Sequence, residues 1–446
     1  MTVDEAKPCS YAPQMNEADL FKSIPSPEFP PPTGHTLADP PGHRRILLLQ
    51  GLMGPLFRRL GQGLRAAGHD VHKVNFNGGD RLYWRLPNGI DFRGTLDDWP
   101  KALAKIIATR AITDVILFGD CRPHHILATQ ICREQGVAVH VFEEGYIRPD
   151  WVTLEREGVN GHSNLPRDPE WFRRTAALLP PVPEHRQVPS SFRRRALEGL
   201  LYNLADVATR WYYSGWHNHR PWPPLVEGKG WLRKLRQRKL RDEQTARVLE
   251  LLQKPTMAPF YLFPLQLDSD AQIRLHSPFS GMVEALRTII GSFSSHAPAE
   301  TRLLIKEHPL DNWVQDWQQI TFAIGREFGV DHRIDYLPGG DIVPVAQKSI
   351  GMVTVNSTSG TLGLMLEKPV VVLGSAVYNI AGITFQDGLD QFWKNPVAPD
   401  QETFAAFRRV LIDRCLIPGG FFSDEALDMV VRHAIARFEG RQIPVE

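Results

Sequence analysis

Cysteine is nearly absent from this chain: Cys9, Cys121, Cys132 and Cys415 are the only four in 446 residues. None sits at redox or metal-ligand spacing. That excludes a disulfide framework and leaves free thiols in a reducing compartment as the expectation. Long apolar runs are also missing, and none approaches the ~20 residues that span a bilayer. Residues 1–43 are proline-rich and have no apolar core, so they read as a disordered leader without a signal peptide. Charge of one sign is lacking too. At a net +1 the bulk electrostatics select no polyanion, and no nucleic-acid module is recognisable, so no nucleic-acid partner is expected. There is no short repeat and no Walker lysine loop, and the turn at 50–54 is too short for a dinucleotide fingerprint. His124 and His125 lack a carboxylate or cysteine partner at metal spacing, so neither a metal nor another cofactor is expected.

What the chain does have is alternation. Apolar strand patterns at 45–49, 71–75, 114–119 and 138–142 are separated by helical patterns at 56–67, 99–109 and 126–135. The same alternation returns with strands at 260–264, 302–305, 349–355 and 369–373 and helices at 282–292, 313–328 and 360–366. Closing helices follow at 404–415 and 424–439. Strand and helix in turn predict parallel sheets covered on both faces. The fold class is therefore α/β, with two Rossmann-like domains facing a central cleft, the arrangement called GT-B in glycosyltransferases. The division expected is 44–178, a connector at 179–253, 254–395, and C-terminal helices at 396–446.

Three strands run out into charge. VHVFEEGYIRPD (139–150) ends in Glu143 and Glu144, followed by Tyr146 and Arg148; YLFPLQLDSD (261–270) ends in Gln266, Asp268 and Asp270; LLIKEHP (303–309) ends in Lys306 and His308. Carboxyl ends of parallel strands are where open α/β sheets bind ligands. Carboxylates from two lobes are the equipment for chemistry at a glycosidic centre, where one attacks or stabilises and another group moves a proton. Lys306 and His308 alternate along an extended segment, which predicts that both face the same way and offer donors to a phosphate. Asn356, Ser357, Thr358, Ser359 and Gly360 form a polar turn between strand and helix, with more hydroxyls than capping needs. Asp120, Arg122, His124 and His125 follow a further strand end.

The connector differs in composition. Between residues 192 and 241 twelve Lys/Arg stand against three Asp/Glu, a surplus of nine, interleaved with Trp211, Tyr212, Tyr213, Trp216, Trp222 and Trp231. Basic residues beside aromatics suit an anionic membrane surface.

Taken together, EEGYIRPDWVTLE (143–155), QLDSD (266–270), KEHP (306–309) and NSTSGTLGL…KPVVVLG (356–374) resemble the capsule polysaccharide biosynthesis family of Gram-negative bacteria. The opening LLLQGLMGPLFRRLGQGLRAAGHDVHKVNFNGGD and the FGDCRP segment look most like its KpsS/LipB-type branch. The resemblance implies a retaining β-Kdo transferase that takes Kdo from CMP-β-Kdo and places it on a lysophosphatidylglycerol acceptor. It implies Asp270 and Glu143 as catalytic residues. CMP-sugar contacts would come from Lys306, His308, Ser357, Thr358, Ser359 and Gln266. Glu144, Tyr146, Arg148, Arg122 and His125 would meet the acceptor or the sugar carboxylate. The glutamate that multidomain relatives carry in the helix after the serine motif has no counterpart, since Leu364–Met365 stands there and Glu367 comes later. The partners implied are the glycerophospholipid, the inner face of the inner membrane, and the capsule biosynthesis and export machinery with its linker-extending Kdo transferase. Two other readings fit the same lobes: a nucleotide-sugar epimerase, and a non-catalytic accessory protein of capsule export.

Overall fold

Five segments build a parallel sheet at the start of the described residues. They are β1 (Arg45–Leu48), β2 (Asp70–Asn75), β3 (Gly89–Asp91), β4 (Asp114–Phe118) and β5 (Ala138–Glu144). The computed structural model describes residues 42–182, 187–217, 222, 224–268 and 270–441; nearly all of the leader read at 1–43 lies outside them. β4 (DVILF) is buried at every position, as a strand covered on both faces must be. Helices Leu56–Ala66, Gly78–Trp84, Trp99–Arg110 and Pro123–Glu134 make the crossovers.

The expectation of a wholly parallel first sheet is corrected at one edge. β6 (Trp151–Arg156) turns back antiparallel on β5, and β12 (Leu416–Pro418) lies antiparallel on β6, giving the order β12-β6-β5-β4-β1-β2-β3. The short turn after Glu144 allows only a hairpin, because a parallel return needs a dozen or more residues. The closing helices flank β12. Gln401–Arg414 packs on Pro169–Leu178, with Phe407 and Phe172 ring centroids 5.3 Å apart. Asp424–Phe438 packs on Leu56–Ala66, where Arg59 bonds Asp428 at 2.8 Å.

The second sheet is parallel throughout. β7 (Phe260–Pro264), β8 (Arg302–Lys306), β9 (Ile334–Leu337), β10 (Gly351–Thr354) and β11 (Val370–Val372) stand in the order β11-β10-β7-β8-β9. Its core gathers Phe263, Leu286, Ile289, Phe293, Ile305 and Trp393. The helix expected at 313–328 begins later, at Trp317. Asp311 explains the delay: it accepts from the Trp313 amide at 2.7 Å and the Trp317 indole at 2.9 Å, and it winds the chain into a turn first.

Register puts charge at the cleft. β4 and β5 pair as far as Phe118 and Phe142, and β4 then stops, with the Gly119 amide bonding Phe142 carbonyl at 2.8 Å. β5 runs two residues further, so Glu143 and Glu144 stand beyond their neighbour at the sheet's carboxyl edge.

Candidate active site

The cleft between the sheets is lined by Glu143, Glu144, Arg148 and Asn160 from the first lobe, and by Gln266, Leu267, Asp270, His308, Asn356, Ser357 and Thr358 from the second. Nine residues singled out in the sequence therefore meet there: Glu143, Glu144, Arg148, Gln266, Asp270, His308, Asn356, Ser357 and Thr358.

The adjacent glutamates are in opposite electrostatic settings. Burial pushes the Glu143 carboxyl up to about 8, and the charges of Glu144, Asp270 and Asp120 push the same way. Burial acts on Glu144 too, but Arg148 at 2.9 Å and Arg195 at 3.0 Å outweigh it and hold Glu144 below the usual glutamate range. Near neutrality Glu143 carries a proton and Glu144 a charge.

On the facing lobe, Asp270 lines the cleft while Asp268 does not. Asp268 accepts from the Met282 amide at 3.0 Å and from Gln315 Nε2 at 3.2 Å, and so anchors the start of helix Met282–His296. This geometry separates the two aspartates that the sequence left as alternatives. His308 Nδ1 accepts from the Leu310 amide at 3.1 Å, which leaves Nε2–H as the ring's donor. Burial, aided by Lys306 and Arg148, pulls its pKa down to about 4, so the ring is neutral.

The serine turn is held by its own hydrogen bonds. Gln266 and Asn356 bond reciprocally: Gln266 Nε2 donates to Asn356 Oδ1 at 2.7 Å, and the Asn356 amide donates to Gln266 Oε1 at 3.0 Å. Ser357 Oγ meets Ser359 Oγ at 3.1 Å, and Tyr378 donates to the Ser357 carbonyl. Gly360 makes room for this last bond, because a Cβ there would lie 2.2 Å from the Tyr378 hydroxyl. Ser359 thus braces the turn from behind its cleft face.

Four of the remaining predicted residues are placed elsewhere. Lys306 is the last residue of β8 and is buried, its Nζ 3.4 Å from the Glu307 carbonyl; burial lowers its pKa. The strand ends at Lys306, so the alternation that predicted a common direction with His308 stops there. Tyr146 is buried behind the cleft. It donates to Glu155 at 2.5 Å and accepts from the Asn160 amide at 2.5 Å, so it positions Asn160. Arg122 donates to the Gly51 carbonyl at 3.1 Å, and His125 Nδ1 lies 2.5 Å from the Gly119 carbonyl. Asn160 itself escaped the sequence reading. Its φ of +57° is a signal of a kind, since Asn is one of the few residues that tolerates this region.

The connector forms helices Phe192–Ala208, Pro224–Arg236 and Arg238–Leu251. Its aromatics divide. Tyr213 is buried and donates to Asp91 at 2.8 Å, and Trp216 packs against the core, whereas Trp211 is 80% exposed. Several cations pair inward, with Arg195 on Glu144 and Arg241 on Glu307. Leu197, Leu200, Leu204 and Val207 recur at helical spacing and are all exposed, and Trp211 extends their line. Among the described residues no helix is long and apolar enough to cross a membrane.

The chain is 33% identical over 369 residues to the capsule polysaccharide export protein KpsS of Escherichia coli, covering 83% of this chain and 94% of that one. It is 34% identical over 390 residues to the capsule polysaccharide modification protein LipB of Neisseria meningitidis serogroup B, covering 85% and 91%. Among solved structures, the beta Kdo 2,7 transferase of Thermosulfurimonas dismutans KpsC aligns with a TM-score of 0.43 at 14% identity, over 87% of this chain and 99% of that one. The sequence model of the capsule polysaccharide biosynthesis proteins matches residues 113–422, a stretch that holds every cleft-lining residue named above, and the chain belongs to that family.

Proposed function

We propose that the chain is a glycosyltransferase that moves Kdo from CMP-β-Kdo to lysophosphatidylglycerol with retention, setting the first residue of the β-Kdo linker of capsular polysaccharide. One observation carries the reading: Glu143 from one lobe and Asp270 from the other line a single cleft, together with His308 and the hydroxyls of Ser357 and Thr358.

The proton accounting works in two steps. Asp270 attacks the anomeric carbon, the bond to the CMP phosphate breaks, and Glu143 gives its proton to the departing phosphate. Water exclusion and fixed donors strengthen this stage, with His308 Nε2–H and the serine-turn hydroxyls receiving the phosphate charge. Glu143, now a carboxylate, takes the proton of the acceptor hydroxyl as that oxygen displaces Asp270. Two displacements retain configuration, and Glu143 ends protonated as it began. Arg148, half exposed at the cleft and bonded to Glu144, is assigned to the Kdo carboxylate.

The acceptor is a lipid, and the exposed apolar stripe at 197–211 with its neighbouring arginines is assigned to the inner face of the inner membrane. There the chain would work beside the capsule export machinery and the linker-extending Kdo transferase. Mass spectrometry of lysophosphatidylglycerol after incubation with CMP-Kdo tests the proposal. One added Kdo is expected; an unaltered lipid beside active controls would refute it.

A further inference from the structure

We propose that Asp120, Cys121, His162 and His276 form a zinc site that fastens the two lobes together behind the cleft. The inference stands apart from the transferase reading, because it rests on a different set of residues.

The four donor groups lie within 4.8 Å of one another. Cys121 Sγ is 3.2 Å from Asp120 Oδ1 and 3.1 Å from His276 Nε2; His162 Nδ1 is 3.0 Å from Asp120 Oδ2. The two imidazole rings meet edge to face at 4.2 Å. Zinc bonds of about 2.0–2.3 Å in a tetrahedron set donor atoms roughly 3.3–3.8 Å apart, so the close pairs open by a few tenths of an ångström and the widest, within 4.8 Å, closes by up to about 1 Å to take the ion. One thiolate, one carboxylate and two imidazoles form a borderline-soft set that favours zinc over the oxygen-seeking magnesium and calcium. On binding, Cys121 releases its thiol proton to solvent. Thiolate and carboxylate then neutralise the divalent ion, with no electron transferred.

The surroundings are built around these donors. Asp120, Cys121 and His276 are buried. Gly161 backs directly onto His276, since a Cβ there would fall 2.4 Å from Nδ1, and only a glycine lets the turn carrying His162 come so close. The Val159 amide donates to Asp120 Oδ2 at 3.0 Å, the kind of outer contact that orients a ligating carboxylate. Within the second lobe, the Ser375 amide donates to the His276 carbonyl at 2.6 Å. Asp120, Cys121 and His162 belong to the first lobe, and His276 follows the short helix after Asp270 in the second. Four protein donors close the coordination sphere, which marks a structural ion.

The full-length chain, prepared without a histidine tag, stripped by chelator and reloaded, is measured for zinc by elemental analysis and for cobalt(II) by absorption. About one zinc per chain is expected, with tetrahedral cobalt bands and a thiolate-to-cobalt charge-transfer band. C121S should abolish the charge-transfer band, and both C121S and H276Q should weaken zinc binding by more than the roughly 10–100-fold that losing an outer contact costs. H217Q, at an exposed histidine, should change neither. If C121S does not fold, the wild-type cobalt spectrum and H276Q decide the matter. Failure to retain zinc, a cobalt spectrum without the thiolate band, or unchanged affinity in H276Q would overturn the site.

Discussion

The amide of Glu144 donates to Oε1 of Glu143 at 2.9 Å, so the charged member of the pair holds the protonated one in place. Glu143 turns to Asp270 and the cleft, and Glu144 is gripped by Arg148 and Arg195. Their roles should separate on mutation. Glu143→Gln is expected to cut transfer roughly 10²–10⁴-fold through kcat, the range for loss of a general acid–base. Glu144→Gln loosens Arg148 and should act mainly on the KM for CMP-Kdo. Steady-state kinetics on both variants check this, and equal kcat losses would contradict the assignment.

Glu143 also makes a pH prediction. Its folded pKa of about 8 exceeds its unfolded value of 4.5, so the folded state binds the extra proton. The penalty for ionising it grows as pH rises from the unfolded value to the folded one, and is complete above about 8. Glu143→Gln removes that penalty. The variant should be the more stable protein, with a margin that widens through this window and levels at about 5 kcal/mol. Calorimetric melting at several pH values reads the margin; a constant one would count against the buried acid. CMP release should fall as pH rises through about 8, where the folded protein loses that proton.

Asp270 should hold the sugar. Glu143→Gln loses both the acid of the first displacement and the base of the second; because the phosphate departs with its own charge the first still proceeds slowly, so prolonged incubation with CMP-Kdo should leave one Kdo attached to the chain. Adding Asp270→Asn should abolish the adduct. Intact-protein mass spectrometry distinguishes the two, and an adduct that survives the aspartate change would assign the nucleophile elsewhere.

His308 and Lys306 should part company. His308→Ala removes a donor to a charged phosphate and should lower kcat/KM for CMP-Kdo roughly 10–100-fold. Lys306→Met replaces a buried side chain and should alter the melting temperature more than the donor KM. Donor kinetics and thermal melts on the two variants would expose the reverse pattern.

The exposed stripe should matter for lipid and not for chemistry. Leu200→Glu with Leu204→Glu puts two carboxylates on the apolar face. Sedimentation with phosphatidylglycerol vesicles should fall severalfold while CMP-Kdo turnover onto a water-soluble short-chain acceptor persists. Undiminished sedimentation would remove the stripe from the membrane contact.

Much of this architecture was legible in the residues. Largely apolar strands such as β4 and β7 are buried on both faces and read as such. The carboxylates that end β5 and follow β7 reached one cleft because the parallel strands of each sheet end on the edge that faces it. What escaped depended on distant partners. The choice between Glu143 and Glu144 is made by Arg195, half a hundred positions away, and Asp268 is claimed by the Met282 amide. Lys306 and His308 were read through a strand that stops between them. β6 was hidden inside a motif read for its charges, and β12 is three residues long between two clear helices. The metal donors lie in three separated segments, so a search by local spacing passes over them.

The place of β12 bears on how the protein is made. The β6 edge emerges from the ribosome at Arg156, and the strand that covers it begins at Leu416, 260 positions later. At about 5–20 residues per second that is roughly 13–52 s during which the first sheet has an open antiparallel edge. Such an edge invites pairing with another nascent chain, so synthesis of this protein should lean on chaperones until its final turn of helix is out.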